Sequence, residues 1–179
     1  MKKTMITVII TTIVMLFGLM NNTIATQAST YHLDEEQKYI AEEITRICTE
    51  RWQECGVLPS VCIAQAYMES HIGKYCYKNN LWGLYGGYTS FDTLEDGINA
   101  YIDTINNGYY DDALWHTNPD YVIDAIWEGG YCTTDKSTYC GGVKWIIEEF
   151  DLTRYDKEIL KNCYMRTHDN CETWKFIED

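Results

Sequence analysis

Proline is nearly absent from this sequence, with two residues in 179. No proline-rich linker, internal repeat or low-complexity tract divides the chain, so a string of modules is excluded and a single globular domain is the economical reading. Positive charge is scarce as well: 14 Lys and Arg face 27 Asp and Glu, for a formal charge of −13. Nucleic-acid binding needs a cationic face to displace condensed counterions, so that partner class is excluded. Metal-ligand spacing is missing too. No Cys-x-x-Cys occurs among the eight cysteines, and His32, His71, His116 and His168 form no ligand-spaced set. Neither a structural zinc site nor a cofactor is expected. No alternating apolar and polar stretch is long enough for a strand, which makes the fold class mainly α.

A long apolar run is also lacking. The most apolar segment, Met5 to Met20, is 16 residues, short of the roughly 20 needed to cross a bilayer. Lys2 and Lys3 precede it, and small residues around Ala25 and Ala28 follow, the order of a secretory signal. Residues 1–28 are read as that signal, with Thr26-Gln27-Ala28 the better cleavage site, Ala25 the other, and an uncleaved anchor the competing reading. Cleavage leaves residues 29–179 as one domain with a charge of −15, exported to the cell wall or beyond, without a stable membrane span and expected to be a monomer.

Export gives the eight cysteines a meaning, because disulfides persist in oxidising compartments. Connectivity stays open among all pairings, although Cys132 with Cys140 and Cys163 with Cys171 each bracket a short loop. Aromatics are plentiful, 15 Tyr and 6 Trp against 4 Phe. Tyr and Trp combine an apolar face with a polar edge, which suits a wet binding cleft as well as a core.

Helix signals recur along the chain. Asp34 with Gln37 forms a capping-box pattern, and Ile40, Ile44, Ile47, Cys48 and Trp52 repeat at helical spacing until Gly56. A second helix begins near Ser60 after Pro59, buries Val61, Ala64 and Met68, and closes at Gly73. Residues 74–89 are polar, aromatic and glycine-rich, hence a loop or short hairpin. Asp92-Thr93-Leu94-Glu95 opens a third helix that ends at Asn107-Gly108. Asn118-Pro119 starts a fourth, stopped by Gly129-Gly130, and a last helix is expected from about Gly142 to Phe150.

Glu69 stands out chemically. It lies in the last turn of a mostly apolar helix, where partial burial and the negative end of the helix dipole both disfavour the carboxylate. A carboxylic acid that keeps its proton near neutral pH is what protonating a glycosidic oxygen requires.

The surrounding residues carry a pattern. Pro59 to Ser70, Gly73-Lys74, Asn79-Asn80-Leu81-Trp82-Gly83-Leu84, then Gly130-Tyr131-Cys132-Thr133, Asp135, Tyr139, Ile146-Ile147 and Leu152 to Asp156 form four ordered blocks over residues 57–156. They resemble glycoside hydrolase family 73, the bacterial endo-β-N-acetylglucosaminidases. The resemblance implies a lysozyme-like helical fold that cleaves β-1,4 bonds after N-acetylglucosamine in peptidoglycan or a related glycan. It implies Glu69 as general acid, Tyr131 as the active-site tyrosine, and sugar contacts from Asn80, Trp82, Gly83 and Tyr139. Read on their own, Trp82 also suits core packing and Asn80 a turn cap.

The departures from that pattern bear on mechanism. Only Tyr85 to Ser90 intervenes where such enzymes usually place a small β-lobe and often a second acid. Asp92 and Glu95 are the nearest acids, and both suit the capping box. Cys132 and Cys140 replace residues that are often small, and a disulfide between them would brace the loop of Tyr131. One convincing acid leaves retaining, inverting and substrate-assisted routes open, with the last favoured. The competing functions are a lytic transglycosylase, which also needs one Glu, and a non-catalytic glycan-binding protein on the same scaffold.

Overall fold

The computed structural model describes residues 31–161; the expected signal segment 1–28 and the Cys163–Cys171 pair lie outside them. The helices with both ends among the described residues are α1 (Glu35–Cys55), α2 (Pro59–Ser70), α3 (Leu94–Ile105), α4 (Pro119–Glu128) and α5 (Lys136–Glu149), and residues 157–161 are again helical. Short 3₁₀ turns sit at Leu84–Gly87, Asp111–Ala113 and Leu152–Asp156. Among the described residues the only sheet-like pairing is an isolated bridge between Tyr77 and Asn80. No helix among them is long and apolar enough to cross a membrane.

α2 is the axis of the fold. Residues Pro59 through Ala66 are all buried, and a helix apolar on every side belongs inside the protein. It packs against α1, α4, α5 and the Leu152–Asp156 turn. Its ends are held in different ways. Leu58 at the N-cap offers no side-chain acceptor. Instead the buried carboxylate of Asp156 accepts from the Ser60 amide at 2.8 Å, satisfying one of the first-turn donors from across the fold. At the C-terminus the chain leaves through left-handed His71 and Ile72 before reaching Gly73. The amides of His71 and Ile72 cap Tyr67 and Ala66 at 2.8 and 3.0 Å, so the helix stops at Ser70, ahead of the expected Gly73.

The flanking helices follow their own signals. α1 has the Asp34–Gln37 capping box and ends at Gly56 with φ +59, the left-handed conformation that glycine adopts without a Cβ penalty. α4 begins at Pro119 behind an Asn118 cap. Two boundaries differ from expectation. The α3 capping box joins Thr93 to Asp96 rather than Asp92 to Glu95, and Glu95 instead pairs with Arg46 at 3.3 Å. α5 starts at Lys136 under an Asp135 cap, six residues before Gly142. Gly142 lies inside it, beside the flexible Met68 methyl of α2, and is not a helix start.

The cysteines also depart from expectation. All six described cysteines are thiols, and Cys132 is not bonded to Cys140. The Cys140 thiol is buried against the Ile123 carbonyl at 3.9 Å, whereas Cys132 lines an open cleft. The loop between α4 and α5 is held by other means. The Trp127 indole N–H donates to the Thr134 carbonyl at 2.8 Å, the Tyr131 amide to Ile126 at 3.3 Å, and Asp135 caps Thr138 at 3.1 Å.

Candidate active site

A cleft of about 520 Å³ opens where the C-terminus of α2 meets the α4–α5 loop and the start of α5. α2 contributes Met68 and Glu69, the loop contributes Tyr131 to Thr134, and α5 contributes Thr138 and Tyr139. Glu69 is the single carboxyl among these lining residues.

Glu69 keeps more than a third of its surface open to solvent, yet the protein packed around its carboxyl desolvates it and raises its pKa above the ordinary value. The desolvation is partial, as fits a group at a cleft mouth. The nearby C-terminus of α2 acts in the same direction through its dipole. Both effects favour the protonated acid, the form that can donate.

Two tyrosines face it. Tyr131 lies between Tyr110 and Tyr139, with ring centroids 6.2 and 6.1 Å away. Its hydroxyl is buried with no hydrogen-bond partner among the described residues. Burial first, then neighbouring Tyr139 and Glu69, push its pKa well above the usual phenol value. Tyr131 is therefore a neutral hydroxyl with its donor uncommitted. The Tyr139 hydroxyl accepts from the Gln65 side-chain amide at 2.9 Å, and burial likewise raises its pKa.

Asn80 and Trp82 lie elsewhere. The Trp82 indole is 3% exposed, stacks on Tyr101 at 4.2 Å and donates to the Cys62 carbonyl at 3.1 Å. A ring so enclosed has no free face for a pyranose, so Trp82 is a core residue in this structure, not a sugar platform. Asn80 is also buried. Its side chain accepts from the Leu84 amide at 2.8 Å and donates to the Leu84 and Thr89 carbonyls at 3.0 and 3.1 Å. Every polar atom of Asn80 is thus spent on the loop after α2. Gly83, at φ +64, turns the chain into the 3₁₀ segment. The motif around these three residues shapes the loop; Glu69, Tyr131 and Tyr139 are the candidates that the fold brings to the cleft. Asp92 and Glu95 are not among its lining residues. Asp135, next to the cleft in sequence, has its pKa lowered to about 2 by hydrogen bonds from Ser137 and Thr138 and is committed to its cap.

Gln65, Tyr110 and the threonines at 133, 134 and 138 were not legible as site residues. For Gln65 a signal existed: it is the one polar side chain with a full amide between Val61 and Ala66, and a buried amide needs partners.

An all-helical scaffold that presents one proton-holding acid beside neutral hydroxyls suits acid-assisted cleavage of a sugar bond, the chemistry of glycoside hydrolases. Residues 45–152, more than half of the chain, match the family model described as mannosyl-glycoprotein endo-beta-N-acetylglucosaminidase. The chain belongs to this glucosaminidase family, as its motifs led one to expect. A curated relative, the exo-glucosaminidase LytG of Bacillus subtilis (strain 168), is 25% identical over 161 residues, covering 72% of this chain and 56% of LytG. The chain thus spans little more than half the length of that relative. Among solved structures, the catalytic domain of the autolysin Auto from Listeria monocytogenes superimposes with a TM-score of 0.56 at 20% identity, covering 77% of this chain and 97% of that domain. The glycoside hydrolase domain of FlgJ from Salmonella typhimurium gives 0.53 at 15%, covering 77% and 99%. A peptidoglycan hydrolase from Sphingomonas sp. A1 gives 0.53 at 19%, covering 79% and 99%. These likenesses establish the fold.

Proposed function

We propose that this protein is an exported peptidoglycan hydrolase that cleaves the β-1,4 bond after N-acetylglucosamine, with Glu69 as its general acid. The observation that carries the reading is the desolvated Glu69 carboxyl at the end of α2, in one cleft with Tyr131 and Tyr139. The family match and the named activities of LytG and of the Sphingomonas enzyme support the substrate class.

The single carboxyl in the cleft favours a substrate-assisted route. Glu69 protonates the oxygen of the leaving sugar while the C1–O bond breaks. The carbonyl oxygen of the substrate's own 2-acetamido group forms a bond to C1, giving an oxazolinium ion. Glu69, now a carboxylate, takes a proton from water as its oxygen attacks C1 and reopens the ring. The product has N-acetylglucosamine at its new reducing end with retained configuration, and Glu69 is reprotonated. Tyr131, neutral and with an uncommitted hydroxyl, is suited to hydrogen-bond the acetamido group during attack.

The experiment is digestion of purified peptidoglycan with fragment mass analysis and NMR of the first-formed anomer. Reducing N-acetylglucosamine ends with a β first anomer are expected. Fragments ending in 1,6-anhydro-muramic acid would replace this reading with a lytic transglycosylase. Binding without release of any fragment would replace it with a glycan-binding protein.

A further inference from the structure

The cleft is wired to the core by a chain of three buried side chains on three helices. Tyr101 of α3 is fully enclosed, and its hydroxyl donates to Gln65 Oε1 of α2. The same amide then donates through Nε2 to the Tyr139 hydroxyl of α5 at 2.9 Å. Gln65 is 1% exposed and Tyr139 is 6% exposed, so water does not compete for these bonds.

The direction of the chain follows from donor and acceptor chemistry. Tyr101 has one hydroxyl proton, and Gln65 is its only acceptor among the described residues. Turning the Gln65 amide over would present an N–H to Tyr101 and leave that proton buried without an acceptor, which the core disfavours. The amide oxygen therefore faces Tyr101 and the NH₂ faces Tyr139. Tyr139 oxygen accepts from within, so its own proton is free to be donated outward. Tyr139 lines the cleft with Glu69 and Tyr131, and no described residue accepts that proton.

We propose that Gln65, locked by Tyr101, is a positioning residue that fixes the Tyr139 hydroxyl as a hydrogen-bond donor into the cleft, toward an oxygen of the bound N-acetylated sugar. This rests on the reading of the cleft as a glycan site. It makes Trp82 part of the same device, because its indole stacks on the Tyr101 ring at 4.2 Å and keeps that ring from turning. The buried motif residue thus acts on the cleft from behind, not as its floor.

The test is a set of variants assayed on purified peptidoglycan between pH 4 and 8, with melting temperature recorded for each. Tyr139→Phe removes the donor and lowers kcat roughly 100-fold. Gln65→Leu lowers it between about 10- and 100-fold, but in a Tyr139→Phe background costs less than about threefold more, since Gln65 acts through Tyr139. Gln65→Glu separates orientation from packing. Protonated, it accepts from Tyr101 and donates to Tyr139, preserving the polarity. Ionised, it draws both hydroxyl protons inward and turns Tyr139 away from the sugar. Its activity relative to wild type therefore falls as pH rises, a switch that Gln65→Leu lacks. The titratable groups around the chain are Tyr101 on α3, Tyr139 and Cys140 on α5, Tyr131 and Cys132 on the loop, Cys48 on α1, and Cys62 and Glu69 on α2. All are present in the wild-type control, so the ratio isolates residue 65. If Gln65→Leu does not fold, Gln65→Glu decides alone. Unchanged activity in Gln65→Leu, an undiminished effect of it beside Tyr139→Phe, or a flat ratio for Gln65→Glu overturns the inference while leaving the function intact. No turnover by the wild type overturns both.

Discussion

Asp156 offers a prediction whose size follows from the structure. It is 2% exposed and accepts from the Ser60 amide at the start of α2. Burial raises its pKa to about 6 against the lowering effect of that hydrogen bond, whereas an unfolded Asp titrates near 3.9. Below about pH 4 the group is protonated in both states. Between about pH 4 and 6 the unfolded chain releases its proton while the folded one retains it, so stability falls as pH rises. The full difference, about two pKa units at about 1.4 kcal/mol each, costs about 2–3 kcal/mol at pH 7. Asp156→Asn keeps an oxygen for the Ser60 amide and removes the charge. The variant is expected to gain on wild type by about 5–10 °C in melting temperature between pH 4 and 7, since roughly 2–4 °C corresponds to each kcal/mol at this size. Thermal melts of both proteins at half-unit pH steps measure the gain, and every other carboxylate cancels in the difference. A difference that stays flat, or in which the variant loses ground as pH rises, would refute the reasoning. It would mean that the ionised carboxylate is a favourable cap for α2.

Two further outcomes follow. Asn80→Ala strands the Leu84 amide and two carbonyl partners inside the protein, so urea denaturation should show a loss of about 2–3 kcal/mol. The acidic balance, 27 acids to 14 bases, repels anionic wall polymers. Hydrolysis of such walls should therefore rise with moderate added salt as repulsion is screened, and a flat or falling profile at constant folded fraction would count against this.

Much of the helical frame was legible because its signals are local. The Asp34–Gln37 box, Gly56 and Asn118-Pro119 act within one turn, and each sits where the pattern places it. The α5 start was not, because Gly141 and Gly142 look like a boundary, whereas the helix is opened by the Asp135 cap ahead of Lys136. The α3 box slipped by one residue because Asp92-Thr93 offers two possible caps, and only the fold shows Glu95 held by Arg46. Within the site, Glu69 could be read from its place at a helix end and Tyr131 from the family resemblance. Whether Trp82 faces sugar or core depends on long-range packing against Cys62 and Tyr101, whereas Asn80 is turned inward by its own loop, through Leu84 and Thr89. The expected Cys132–Cys140 bridge is not formed, because the Cys140 thiol is buried against the Ile123 carbonyl while Cys132 lines the cleft, a placement that sequence proximity does not reveal.

In the proposed reaction Glu69 donates the proton that releases the leaving sugar. Glu69→Gln preserves size and hydrogen bonding and removes that proton. Initial rates of reducing-end release from purified peptidoglycan, for wild type and variant at matched folded fraction, test it most directly. A fall of roughly 100-fold or more is predicted for the variant, with binding to insoluble peptidoglycan retained. Release at the wild-type rate would contradict the account.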